Sequence, residues 1–157
     1  TFYIFIDMTE QDIFKAQNLW SEGIIKMGQI SNDRQSLEIY VSDFLDRLYN
    51  FDNQVLFKPT KAKDNQFRND KNSAISYFIA GNDRNCNEDT GFALSNWLKI
   101  TFENNDIILG KEHALAMGNY TFENNNSKIK VEFSFGYIKV NGLVKINLHH
   151  SSIPFQG

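Results

Sequence analysis

Asn141-Gly142 lies between two runs of alternating apolar and polar residues, and such a stretch is the strongest short-range signal for an antiparallel hairpin. Both residues reach left-handed backbone cheaply, as a two-residue turn between twisted strands requires. The run before it, Lys128 to Val140, is therefore set against the run after it. In that second run Val144, Ile146 and Leu148 interleave with Lys145 and Asn147, the period-two pattern of a half-buried strand. The same pattern predicts strands over Phe92 to Glu103, turning at Asn104-Asn105-Asp106, and over Ala114 to Glu123, turning at Asn124-Asn125-Asn126. From Phe92 onward the chain reads as a meander of long antiparallel strands. Gly118 and Gly136 sit within it where bulges or bends are expected.

The N-terminal part has the other period. Thr9-Glu10-Gln11-Asp12 is a capping-box variant, and Ile13, Ala16, Trp20, Ile24 and Met27 follow at three- and four-residue spacing, predicting a helix from about Thr9 to Gln29. A second helix is expected after Asn32, with Leu37, Tyr40, Val41, Phe44, Leu45 and Leu48 on one face and Arg34, Glu38 and Asp43 outside. Gln54 to Thr60 reads as a short strand and Lys61 to Asn72 as a solvated polar loop. Ser73 to Ala80 reads as a second strand in which Ile75, Tyr77 and Ile79 share a face, and Gly81 to Gly91 as a turn-rich loop. Two helices followed by a curling, mostly antiparallel sheet make an α+β domain. A long bent sheet wrapped over a helix forms a cone with an internal pocket at its wide end. No repeat, linker or low-complexity tract interrupts residues 1–157, which are expected to form a single cone domain.

With 41% hydrophobic residues and only 2 prolines among 157 residues, the chain can bury a sizeable core and is not a disordered segment. A net charge of -3 without any basic run argues against a nucleic-acid partner. The run Phe2-Tyr3-Ile4-Phe5-Ile6 is far shorter than the roughly 20 residues a membrane span needs, so no membrane partner is expected. Cys86 has no second cysteine to pair with, and the compartment is unreadable from it. Asn119-Tyr120-Thr121 and Asn125-Asn126-Ser127 match the glycosylation acceptor in an asparagine-rich chain and carry no weight.

The residues best placed for chemistry close the chain: His149-His150-Ser151-Ser152. Carrying the register of Val144, Ile146 and Leu148 forward puts His150 and Ser152 on the buried face and His149 and Ser151 on the other. Neighbouring strand histidines point to opposite faces and cannot share one ion, and only His113 and Cys86 remain as further ligands, so zinc is a poor reading. A serine nucleophile lacks a strand-to-helix elbow. Glu88-Asp89 reads as turn and surface, and Glu132 points away from its neighbours Val131 and Phe133. What remains is a pocket of neutral polar groups. Thr60, Tyr77, His150 and Ser152 are candidates to converge in an aromatic cavity, to bind a small oxyanion or polarise a water. The plainer reading is a satisfied hydrogen-bond cluster that closes the sheet.

Val55-Leu56-Phe57-Lys58-Pro59-Thr60, Ala74-Ile75-Ser76-Tyr77-Phe78, Glu88-Asp89-Thr90-Gly91-Phe92-Ala93, Ala116-Met117-Gly118-Asn119-Tyr120 and His149-His150-Ser151-Ser152-Ile153-Pro154, in that order, resemble the iota-class carbonic anhydrases. Ile153 stands where leucine is usual and Thr90 where serine is usual. The resemblance implies the cone fold shared with the association domain of calcium/calmodulin-dependent protein kinase II, and reversible hydration of carbon dioxide to bicarbonate without a metal or other cofactor. It implies that Thr60, Tyr77 and Ser152 hold bicarbonate or the attacking water, with His150 as proton acceptor or relay and His149 and Ser151 in support or at a dimer surface. Related cones pair through the outer face of the sheet, so a homodimer is expected, with Phe133, Phe135 and Tyr137 suited to it if they lie outward. Members of the class occur in algal plastids and in bacteria. The rival readings are a non-catalytic assembly or small-molecule-binding module of the same fold, and an isomerase or dehydratase, which needs an ionisable carboxylate inside the pocket.

Overall fold

The computed structural model describes residues 7–157, so the apolar run at residues 2–6 lies outside the described residues. The first helix, α1 (Glu10–Gln29), starts as its sequence dictates. Thr9 accepts from the Asp12 amide, and the Asp12 carboxylate accepts in return from the Thr9 amide, which satisfies two of the orphan donors at the helix start. Helix α2 (Arg34–Leu48) is capped by Asp33 and buries Leu37, Val41, Phe44, Leu45 and Leu48. The helices meet where the Phe44 ring lies against Gly23, a place that admits no Cβ.

Five strands form one sheet in the order β1-β5-β4-β3-β2. They are β1 (Leu56–Lys58), β2 (Lys99–Leu109), β3 (His113–Glu123), β4 (Lys128–Val140) and β5 (Leu143–Ser152). All neighbours are antiparallel except β1, which runs parallel to β5. At the β4–β5 turn Asn141 and Gly142 both have positive φ, 51° and 79°, as the sequence predicts. The sheet is curved and does not close. Its inner face wraps the Trp20 indole of α1, which contacts rings from four strands: Phe102 at 5.9 Å, Tyr120 at 5.5 Å, Phe135 at 6.2 Å and His149 at 5.7 Å between centroids.

Both glycines expected at bends stand opposite bulges. Gly118 pairs with Asn104 while Met117 pairs with Asp106, leaving Asn105 as an extra residue in β2. Gly136 pairs with Leu148 while Tyr137 pairs with Ile146, leaving Asn147 extra in β5. Each bulge crowds the glycine opposite it so that a Cβ there has no room: at Gly118 it meets the Glu103 carbonyl and the Asn105 nitrogen, at Gly136 the side chains of Asn147 and Leu148.

Several expectations need correction. Ser73 to Ala80 is not a strand but lies in helix α3 (Lys71–Ile79), capped by the Asp70 carboxylate on the Ser73 amide at 2.9 Å. Nearly every residue of this segment is buried, so its apolar spacing carries no period that distinguishes strand from helix, and the cap decides. Phe92 to Leu94 is a short 3₁₀ turn, and the strand expected from Phe92 starts at Lys99. Asn104-Asn105-Asp106 is not a turn: β2 absorbs it as the bulge opposite Gly118 and reverses after Leu109, where the Gly110 amide donates to the His113 carbonyl at 2.7 Å. The strand expected over Gln54 to Thr60 shortens to Leu56–Lys58. Phe133, Phe135 and Tyr137 do not face outward; all three are buried in the core.

Gly118→Ala is expected to lower unfolding free energy by about 1–3 kcal/mol, read by urea denaturation, because the clash is with backbone that cannot swing aside.

Candidate active site

The Asn147 bulge changes which histidine faces inward. Ile146 is buried before the bulge; after the extra residue the alternation restarts one step out of phase, and His149 and Ser151 are the buried pair, at 2% and 1% exposure. The inward placement expected for His150 and Ser152 is therefore corrected. His150 is exposed, opposite Lys58 of β1, and Ser152 is half-buried, opposite Glu132.

Thr60 and Tyr77 both line a pocket, together with Trp20, Pro59, Phe78, Phe92, Tyr120, His149 and Ser151. Its non-atom space, open mouth included, is about 190 Å³. Thr60 arrives from the end of β1, Tyr77 from α3, Tyr120 from β3, and His149 and Ser151 from β5. Tyr120 was not singled out from the sequence. The signal was present in the strand Ala114 to Glu123, where Ala114, Ala116, Tyr120 and Phe122 share the inner face.

His149 is the hub. Its ring lies between Phe57, stacked at 4.7 Å, and Phe135, stacked at 4.1 Å. Nδ1 is 2.9 Å from the Tyr49 hydroxyl, and Nε2 is 3.0 Å from the Tyr120 hydroxyl and 3.1 Å from Ser151 Oγ. Ser151 and Tyr120 are also in direct hydrogen-bond contact with each other. The Tyr77 hydroxyl accepts from the Lys61 amide at 3.4 Å and lies beside Thr60. Burial drives the His149 pKa well below the ordinary histidine value, with His150 adding to the effect, and pushes Tyr77 and Tyr120 well above the ordinary tyrosine range. At neutral pH every group in the pocket is uncharged. The site is a ring of hydroxyls, each able to give and take a proton, in an aromatic box.

A buried ion pair behind this ring fixes Thr60 and Tyr77 relative to each other. Arg68 is fully buried and grips Asp89 with two bonds, 2.7 and 2.8 Å, while also donating to the Ser73 carbonyl of α3. Asp89 in turn accepts from Ser76 of α3, and Glu88 accepts from the amides of Lys63, Asp64 and Asn65. The loop after Thr60 and the helix carrying Tyr77 are tied through one guanidinium. The loop over Lys61 to Asn72 is mostly exposed, as expected, but Arg68 within it is buried, and the surface role expected for Asp89 is corrected. A carboxylate from a distant loop gives Arg68 a partner that spacing alone does not reveal.

Among the described residues no group of three or more His, Cys, Asp or Glu side chains is placed to hold a metal ion, and His113 is exposed.

With this geometry, the family model described as metal-independent carbonic anhydrase matches residues 11–153. A metal-independent carbonic anhydrase of Nostoc sp. is 31% identical over 155 residues, covering 95% of this chain and 75% of that protein. The crystal structure of a cyanobacterial iota-carbonic anhydrase complexed with bicarbonate superposes with a TM-score of 0.93 at 28% identity, covering 100% of this chain and 99% of that one. A putative calcium/calmodulin-dependent protein kinase II association domain from Xanthomonas campestris, at 18% identity, TM-score 0.68 and full coverage of both chains, shares the fold.

Asp89→Ala is expected to cost about 3–5 kcal/mol in urea unfolding, since it strands the buried Arg68 charge. Stability should also fall as the pH drops below about 6.5: the unfolded chain takes up a proton on His149 that the folded chain refuses, so the unfolded state gains below the unfolded pKa. In His149→Gln that one-proton slope disappears from the pH dependence of unfolding.

Proposed function

The chain belongs to the metal-independent carbonic anhydrases and therefore interconverts carbon dioxide and bicarbonate, and we propose that Thr60, Tyr77, Tyr120 and Ser151 carry the reaction around one water, with His149 behind them. The observation that supports this most is the convergence of four neutral hydroxyls from four separate segments in one small aromatic pocket. A pocket this small, walled by aromatic rings, suits a triatomic substrate and its trigonal oxyanion better than a larger carbon skeleton. It contains no carboxylate, which an isomerase or dehydratase in the same place would want.

Carbon dioxide enters against Trp20, Phe78 and Phe92, and the hydroxyls orient a water toward its carbon. As the new C–O bond forms, the water passes one proton to a hydroxyl oxygen, and that hydroxyl hands its own proton to an oxygen of the former carbon dioxide. The product is carbonic acid, which ionises to bicarbonate and releases its proton to solvent. No strong base takes part in this exchange, which fits a pocket whose one imidazole is held neutral. Zinc lowers the pKa of its water from about 15.7 to about 7; hydroxyl donors stabilise the developing charge by only about 3–4 kcal/mol each. Turnover below that of the fastest zinc enzymes follows. His150 and Ser152, on the opposite face, take no part.

We propose further that two copies pair through the outer face of the sheet, supported by the exposed Ile108, Leu115 and Met117, of which Ile108 and Leu115 face each other across β2 and β3. Sedimentation equilibrium should show a dimer that Leu115→Lys dissociates; a monomer in the wild type would refute the pairing.

Stopped-flow hydration of carbon dioxide by chelator-treated protein tests the main reading. Ser151→Ala and Tyr77→Phe are expected to lower kcat by about 100-fold, whereas His150→Gln and Ser152→Ala stay close to wild type. Loss of activity on chelation, or an activity that depends on Ser152 and not Ser151, would contradict it.

A further inference from the structure

We infer that Trp20 and Tyr49 are positioning residues for the reaction: they hold the neutral His149 imidazole as its Nε2–H tautomer and so direct the pocket hydroxyls toward the substrate as donors. The inference rests on the site described above and extends it to two residues that touch no substrate.

It follows from counting protons. An indole N–H can only donate, and Trp20 Nε1 gives its proton to the Tyr49 oxygen at 2.9 Å. Tyr49 has one proton of its own and is buried, at 1% exposure. The other polar atom beside its hydroxyl is His149 Nδ1, also at 2.9 Å. A buried hydroxyl proton left without an acceptor is unfavourable, so it is donated to Nδ1, which must then present a lone pair. A neutral imidazole carries a single ring proton, and it is left on Nε2.

Nε2–H faces Tyr120 and Ser151 at 3.0 and 3.1 Å. Both hydroxyl oxygens accept from it; one passes its proton to the other across their direct contact, and the remaining proton points into the pocket. Hydrogen bonds thus run in one direction from the indole, through Tyr49 and His149, to the pocket. With the opposite tautomer Nε2 would accept from these hydroxyls, their lone pairs would face the cavity, and the bicarbonate anion would be repelled. Among the described residues, Tyr49, Tyr120 and Ser151 are the ones hydrogen-bonded to the ring. The titratable groups near it are Tyr49, Tyr120 and the adjacent His150, while β1, β4 and α1 turn Phe57, Phe135 and Trp20 toward it.

Nitrogen NMR of protein labelled with [15N]histidine reads the tautomer directly, with His149 assigned by comparison with His113→Gln and His150→Gln. The expected wild-type spectrum shows His149 as Nε2–H with a hydrogen-bonded Nδ1, unchanged between about pH 6 and 8. In Tyr49→Phe the Nδ1 signal should move to that of an unbonded ring nitrogen, with kcat lower by about tenfold and KM little changed, the size of one hydrogen bond lost from the transition state. An Nδ1–H tautomer or an imidazolium in the wild type overturns the inference. So does a Tyr49→Phe protein whose Nδ1 signal moves while kcat holds. If Tyr49→Phe fails to fold, the wild-type spectrum decides alone. Because that spectrum needs no activity, a wild type with the expected tautomer but no hydration of carbon dioxide would refute the reaction assignment and leave the tautomer in place.

Discussion

Trp20 is the contact on which the cone depends. Its indole is one side chain of α1, yet it touches rings from β2, β3, β4 and β5. A sheet can reach one indole from four strands only by curving around it, so burial of Trp20 and curvature of the sheet are the same event. A buried aromatic of this size removes about 150–250 Å² from water, several kcal/mol on ordinary area scaling. The indole also brings a polar N–H into the core that has to be satisfied. Tyr49, at the end of α2, meets that requirement, and its hydroxyl then reaches His149. Core packing and the polar site thus share one side chain.

Curvature has its own local causes. The two bulges, at Asn105 and Asn147, each insert one residue into a strand, and each stands opposite a glycine whose missing Cβ leaves room for the crowded atoms across from it. The second does more than bend the sheet. It shifts the phase of β5 so that a strand entering with Ile146 inward leaves with His149 and Ser151 inward. A single extra asparagine decides which member of each His-His and Ser-Ser pair meets the pocket. On the other side of the pocket, Arg68 and Asp89 hold Thr60 and Tyr77 together at the cost of burying a charge pair, a restraint that suits positioning better than stability.

Much of this architecture is legible in the sequence. The capping box at Thr9, the two amphipathic stripes, the Asn141-Gly142 hairpin and the glycines opposite the bulges each follow from local rules. Thr60 and Tyr77 do line one pocket, but the strand expected to turn Tyr77 inward is helix α3, so their meeting does not follow from local rules. What local rules miss are features that a second segment determines. Helix α3 is buried nearly all round, so its period is blurred and only the Asp70 cap betrays it. Gly136 signals a bulge somewhere near, but the extra residue lies on the other strand, and the sequence does not say that it comes before His149. Strict alternation therefore selects His150 and Ser152, one residue from the pair that is buried. Tyr49 carries no local signal, since its partners lie 29 and 100 residues away.

In the proposed reaction an uncharged ring of hydroxyls, set by the β5 bulge, holds the substrate without a metal. A crystal structure of chelator-treated protein grown with bicarbonate tests this most directly, because it shows which oxygens the anion meets. Bicarbonate is expected within hydrogen-bond distance of Thr60, Tyr77 and Ser151, with Nε2 of His149 behind them. Bicarbonate bound beside His150 and Ser152, or held by a metal ion in the pocket, would contradict it.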